Sequence, residues 1–239
     1  MSDIQVDPHL YDGRPADGDA RLDKERDCYE LLERLGIAFA RVDHARADTI
    51  EACAAVEAVL GGPICKNLFL CDRQQTRFYL LLMPGHKPFK TKYLAGQFDG
   101  PRLSFAPPER LETLLHLTPG SVSVFGLQYD TARQVRLLID RDVPAEEFVC
   151  FHPCINTSTV RFRSSDLMDG LLPHWGVTPT MVTLPWQPDE RGRADELAAA
   201  DHRAAAGEPL RGVARLPGGG DTPAARLASG SMFSGENAD

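Results

Sequence analysis

The chain has 239 residues, 43% of them hydrophobic, and a formal net charge of −8, enough apolar content for one sizeable core. No apolar run approaches the ~20 residues of a membrane span, and the first twenty residues have neither the basic nor the apolar region of a secretion signal, so a cytoplasmic protein without a membrane partner is expected. Most of the charge sits in the ends, −4 in residues 1–27 and −3 in residues 187–239, so the middle is near neutral and a local basic face for nucleic acid stays open.

In chain order, residues 1–22 read as a flexible lead. Asp23–Leu35 carries Tyr29, Leu31, Leu32 and Leu35 at helical spacing and stops at Gly36. Ile37–Val42 reads as a strand, and Asp48-Thr49 as the cap of a helix with Ile50, Cys53, Val56, Val59 and Leu60 on its apolar face. "NLFLCD" and "RFYLLLMP" read as buried strands joined by a polar turn, and "GHKPFKTKYL" as a basic loop with a short helix. After the short strand "RLSFA", Pro107-Pro108 opens a helix through His116. "SVSVFGL", "VRLLID", "FVCFH" and "STVRF" read as four strands, Ser164–Leu172 as a helix, and "TMVTLP" as an edge strand. From Gln187 the Ala-, Gly- and Pro-rich tail has too little apolar surface to offset chain entropy, apart from a short helix near Asp195–Ala206. The irregular order, with strands clustered late, predicts one α+β domain over residues 23–186 between a flexible lead and a disordered tail.

The chemistry-bearing residues concentrate in "FVCFHPCINTSTVRF". Cys150, His152 and Cys154 alternate as strand residues on one face would, which raises zinc. Pro153 breaks the strand before the third, though, and no second Cys/His pair follows, so no metal is expected. The six cysteines, without a C-x-x-C pair, read as small buried hydrophobes. Ser121, Ser123 and Ser158 are candidate nucleophiles with His152 as base, but no G-x-S-x-G elbow supports them. A Cys-His pair lacks a directed bond, and His152 reads equally as a strand-end histidine bonded to backbone. Lys66-Asn67 opens an apolar strand, either as a snorkelling lysine or as an ammonium aimed at phosphate or carboxylate with Asn67 adding hydrogen bonds. Pro119-Gly120 makes a turn, and Gly126 inside the next strand allows a close approach. His86, Lys87, Lys90 and Lys92, near Arg102, are either a solvated face or a patch for RNA phosphates.

Taken together, "CKNLFL", "LLMPGHKPFKTKYL", "RLSFA", "LTPGSVSVFGL" and "FHPCINTSTVRF" resemble the bacterial prolyl-tRNA synthetase editing-domain superfamily, the YbaK-like aminoacyl-tRNA deacylases. Within that superfamily the chain looks most like the free-standing Ala-tRNA(Pro) deacylases of PrdX type. The resemblance covers residues 25–185 and implies a mixed, curved sheet (a partial barrel) flanked by helices. It also implies metal-independent and cofactor-independent hydrolysis of the ester joining a wrong amino acid, Ala above all, to tRNA(Pro). On that reading Lys66 holds the tRNA 3′ end and His152 and Asn156 shape and polarise a small pocket. Asn67, Gly120, Ser121 and Ser158 contact the aminoacyl group, the turn through its backbone amides, while Lys87, Lys90, Lys92 and Arg102 meet the tRNA. The family's loop carries Pro at the place of Val124. On the same reading water is expected to attack with help from a ribose hydroxyl, and transient contact with prolyl-tRNA synthetase is expected. The alternatives are a Cys or Ser cargo, or a tRNA-binding regulator without turnover.

Overall fold

One strand, Phe78–Pro84 (β4), is buried on both faces from Phe78 to Met83 and organises the rest. The computed structural model describes residues 4–17, 20–47 and 50–186, with only the backbone described for 50–52. Because strand side chains alternate, Leu80 and Leu82 join one core with Cys28, Leu31 and Leu32 of helix α1 (Asp23–Arg34) and Leu111 and Leu115 of α3 (Pro108–Leu115). Tyr79, Leu81 and Met83 join a second core with Leu94, Leu103, Leu138 and Leu184. Each such buried side chain contributes about 1.5–3 kcal/mol relative to exposure.

The elements preceding β4 are β1 (Tyr11–Asp12), α1, β2 (Ala40–Asp43), α2 (Ile50–Leu60) and β3 (Cys65–Cys71). After β4 come a 3₁₀ turn at Thr91–Leu94, β5 (Ser104–Phe105), α3, a second 3₁₀ turn at Val124–Gln128, β6 (Val135–Asp140), β7 (Phe148–Phe151) and β8 (Ser158–Arg163). The next helix, α4, is α at Ser164–Asp166, π at Leu167–Leu171 and α again at Leu172–His174, and β9 (Thr180–Val182) closes the described chain. The predicted α+β class holds. The β structure is two sheets, an antiparallel β1-β2-β8-β7 and a mixed β5-β3-β4-β6-β9 in which β4-β6 and β6-β9 are parallel. A single parallel bridge between Ile64 and Cys150 joins them at the start of β3. Helix α2 covers that junction, with Val56 and Leu60 packed on Val42, Ile64 and Cys150.

Two expectations need correction. The lead is not loose throughout: Val6 bridges to His44, and Tyr11–Asp12 pairs with Ala40–Arg41, whose guanidinium sits 4.5 Å over the Tyr11 ring. "SVSVFGL" is not a strand. Ser123 accepts a bond from the Phe125 amide and starts a 3₁₀ turn, because Val124, Phe125 and Leu127 all go into the core rather than alternating. The close approach expected at Gly126 is made by the end of α3 and the residues after it, where a Cβ would lie 2.6 Å from Leu117 and 3.0 Å from Leu115. The Asp48-Thr49 cap and everything expected of residues 187–239 lie outside the described residues.

Candidate active site

The sheet junction leaves a cavity of about 280 Å³ lined by Ala47, Cys53 and Glu57 on the α2 side and by Ile64, Cys65, Lys66 and Asn67 at the head of β3. Gly85 and His86 of the loop after β4, Gly120 and Val122 of the following turn, and His152 after β7 complete the wall. Four of the residues singled out in the sequence, the neighbours Lys66 and Asn67 with Gly120 and His152, therefore meet from three distant places in the chain.

Each is held by its surroundings. Lys66 sits at the edge-facing start of β3, and its ammonium donates to the Lys87 carbonyl at 3.0 Å. Asn67 donates to the Cys65 carbonyl at 2.9 Å, while its Oδ1 is buried without a partner among the described residues. An unsatisfied buried acceptor costs ~1–3 kcal/mol, so an incoming donor here gains more than one met in water. Gly120 takes φ +87°, a conformation that favours glycine. Gly85 must also lack a side chain, since a Cβ would stand 2.4 Å from the Ile64 carbonyl.

His152 belongs to a buried relay. The His44 Nδ1 lies 2.8 Å from the Ala45 carbonyl, and its Nε2 lies 2.8 Å from the Thr159 hydroxyl. That hydroxyl is 3.0 Å from His152 Nδ1, which is also 3.0 Å from the Ser158 carbonyl. Carbonyls only accept, so in the neutral rings both Nδ1 atoms carry the proton. His44 Nε2 then accepts from Thr159, Thr159 accepts from His152, and His152 Nε2 is left as the lone-pair nitrogen. His152 is thus both the backbone-bonded histidine and a cavity residue. Burial pushes the His44 pKa below its usual value, which favours the neutral form of that ring. The folded form resists a proton that the unfolded chain accepts near pH 6.5, so stability is unaffected above that pH and falls as pH drops below it. Urea unfolding at pH 7.5 and 5.5 is expected to show this loss, at most about 1.4 kcal/mol per pH unit from this group. The His44→Gln variant should lose less between the two pH values.

Other expected residues support the site without lining it. The Ser121 hydroxyl donates to the Thr118 carbonyl at 2.9 Å and its amide bonds the same carbonyl at 3.0 Å, so both are spent closing the turn rather than offered to a ligand. Ser158 is fully buried with its hydroxyl 3.2 Å from Tyr29, which removes it as a nucleophile. Asn156 is buried and accepts from the Ala47 amide at 3.1 Å, fixing a wall residue. Val124 lies in the core, and Val122 supplies the turn's apolar wall.

Cys150, His152 and Cys154 do not converge. Cys154 Sγ lies 3.6 Å from Cys28, whereas Cys150 packs behind α2. Among the described residues no three His, Cys, Asp or Glu side chains form a metal-binding group. Burial pushes the Cys65 thiol up to about 12 and raises Cys150 as well, so neither is a thiolate nucleophile at neutral pH.

Lys87 leaves the expected basic patch. It is 1% exposed, with its ammonium 2.7 Å from Asp140 and 2.9 Å from Asp142, because burial of so long a cation demands paired charge. His86 also turns away from the patch, to Glu57 at 2.9 Å. Lys90, Lys92 and Arg102 are exposed, and the last two line a separate groove of about 410 Å³. Two contributors went unnoticed in the sequence. Neither Glu57 nor His44 belongs to a motif singled out in the sequence. The spacing of Glu57 from the α2 apolar stripe gave no warning, since its partners come from Ile64 and His86.

The profile of the aminoacyl-tRNA editing domain family matches residues 44–169, which hold every cavity-lining residue. The chain is 30% identical over 146 residues to the prolyl-tRNA editing protein ProX of Acetoanaerobium sticklandii, covering 61% of this chain and 89% of that protein. It is 28% identical over 151 residues to the prolyl-tRNA synthetase associated domain-containing protein 1 of Danio rerio, covering 62% and 82%. A solved structure described as a proposed trans-editing enzyme for prolyl tRNA synthetase superposes with a TM-score of 0.51 at 18% identity, covering 70% of this chain and all of that one, a likeness of fold.

Proposed function

The chain belongs to the aminoacyl-tRNA editing domain family, and within that family's hydrolysis of mischarged tRNA we propose that it removes a small amino acid, Ala in the first place, from tRNA(Pro). The observation that carries this reading is the small cavity holding Lys66, Asn67 and His152 together between apolar walls. A synthetase discriminates poorly against an amino acid smaller than its own, because missing methylenes are worth only ~1–3 kcal/mol. A second, smaller site that admits Ala and excludes Pro corrects the error. The similarity to a prolyl-tRNA editing protein supports tRNA(Pro) as the carrier.

In this reading the Lys66 ammonium takes a phosphate oxygen of the tRNA 3′ end. Asn67 Oδ1 accepts from the aminoacyl end, and the backbone at Gly120 faces the ester carbonyl. His152 Nε2, held as an acceptor by the relay, orients the attacking water or the neighbouring ribose hydroxyl. The ester is already activated, so placement and charge stabilisation suffice without a protein nucleophile. Lys90, Lys92 and Arg102 meet phosphates further down the acceptor stem. The setting is cytoplasmic, with transient contact with prolyl-tRNA synthetase. The test is a panel of Ala-, Ser- and Cys-tRNA(Pro). Ala-tRNA(Pro) is expected to be cleared with the highest kcat/KM. Preference for Cys or Ser would reassign the cargo, and tight binding of all three without turnover would point to a tRNA-binding regulator.

A further inference from the structure

Glu57 is the one acid among the described residues lining the cavity. Its side chain is 15% exposed, and its two oxygens are already oriented. Oε1 accepts the Ile64 amide at 2.8 Å, and Oε2 faces His86 Nε2 at 2.9 Å. The Ile64 bond ties the carboxylate to the residue two before Lys66, so anion and cation are fixed to the same strand start. A carboxylate among Ala47, Cys53, Ile64 and Val122 is costly unless cationic donors meet it. The His86 ring is 55% exposed, so its pairing with Glu57 is a weak surface contact. Each carboxylate oxygen has two acceptor sites, and the two bonds named leave capacity for a further donor on each.

An aminoacyl ester supplies such a donor. Its α-ammonium stands one carbon from the scissile carbonyl, and its nucleotide end is anionic. The cavity has both charges on its wall, Lys66 for the anionic end and Glu57 for the ammonium. We propose that Glu57 anchors the α-ammonium of the aminoacyl group, which makes the cavity selective for esters with a free α-amine and poor for those whose amine is acylated. This assignment rests on the deacylase reading and deepens it. A neutral pocket of the same size would accept both kinds of ester.

The test compares Ala-tRNA(Pro) with lactyl-tRNA(Pro), made from it by nitrous acid deamination, in which a hydroxyl of nearly equal size replaces the ammonium. Rates are normalised to spontaneous hydrolysis of each ester. Wild-type protein is expected to prefer the alanyl ester about 10- to 100-fold in kcat/KM, the range of a hydrogen bond between charged groups. Glu57→Gln keeps the shape and can still accept from Ile64, and it is expected to cut the two esters alike. A preference that persists in Glu57→Gln, an equal loss on both esters, or no preference in the wild type overturns the assignment of Glu57 alone. If the wild type cuts neither ester, the deacylase reading falls and this inference falls with it.

Discussion

Lys66→Ala is expected to lower kcat/KM for Ala-tRNA(Pro) by about 10²-fold or more, with the fold intact. Lys66 is half-buried at the head of β3, and its ammonium donates to the Lys87 carbonyl. Its half-exposed position lets water replace that bond when the side chain is removed. The loss falls on the tRNA phosphate, where truncating one partner of a desolvated, charged hydrogen bond costs ~2–5 kcal/mol. Lys66→Arg should recover only part of the activity, because a planar guanidinium cannot reproduce the point contact of the ammonium. Unchanged turnover in Lys66→Ala, with circular dichroism matching wild type, would remove Lys66 from the site.

Lys87→Met is expected to destabilise the fold by about 3–5 kcal/mol in urea unfolding. Lys87 and Asp140 are 1% and 0% exposed, Asp142 makes the third member, and the Trp186 indole donates to Asp142 at 2.6 Å. Methionine fills the volume but leaves the Asp140 carboxylate buried without its cation, and that stranded charge is the larger cost. Lys87→Met combined with Asp140→Leu should regain most of the stability, since replacing both partners with apolar groups is often neutral. The single variant should also lose deacylation, because Lys87 pins the loop whose carbonyl receives Lys66. A loss below about 1 kcal/mol would mean that water reaches the cluster and the pairing is of the surface kind.

These two lysines show what local pattern can and cannot carry. Helical apolar spacing marked α1 and α2, the Pro107-Pro108 pair marked the start of α3, and apolar runs marked β3, β4 and β6, because burial is written into consecutive residues. The alternation in "SVSVFGL" mimicked a strand, yet the Ser123 cap and contact with Leu115 and Leu117 curl it into a 3₁₀ turn. Lys87 stood in a run of lysines that reads as a solvated face, and its carboxylate partners lie 53 and 55 residues later. Family resemblance, more than spacing, brought Lys66, Asn67, Gly120 and His152 forward, and the fold gathers these four at one cavity. The same resemblance named Ser121, Asn156 and Ser158, which serve as scaffold behind it. Glu57 and His44 stayed silent because each gains meaning only through a partner from another element: Ile64 and His86 for the first, Thr159 and through it His152 for the second.

The most direct measurement is deacylation of Ala-tRNA(Pro) against Pro-tRNA(Pro) by the full chain, with Lys66→Ala as the blank. The account predicts rapid release of Ala, retention of Pro on its tRNA, and little release of either by the variant. Release of Pro as fast as Ala would contradict selection by cavity size, and release of neither would contradict the deacylase reading itself.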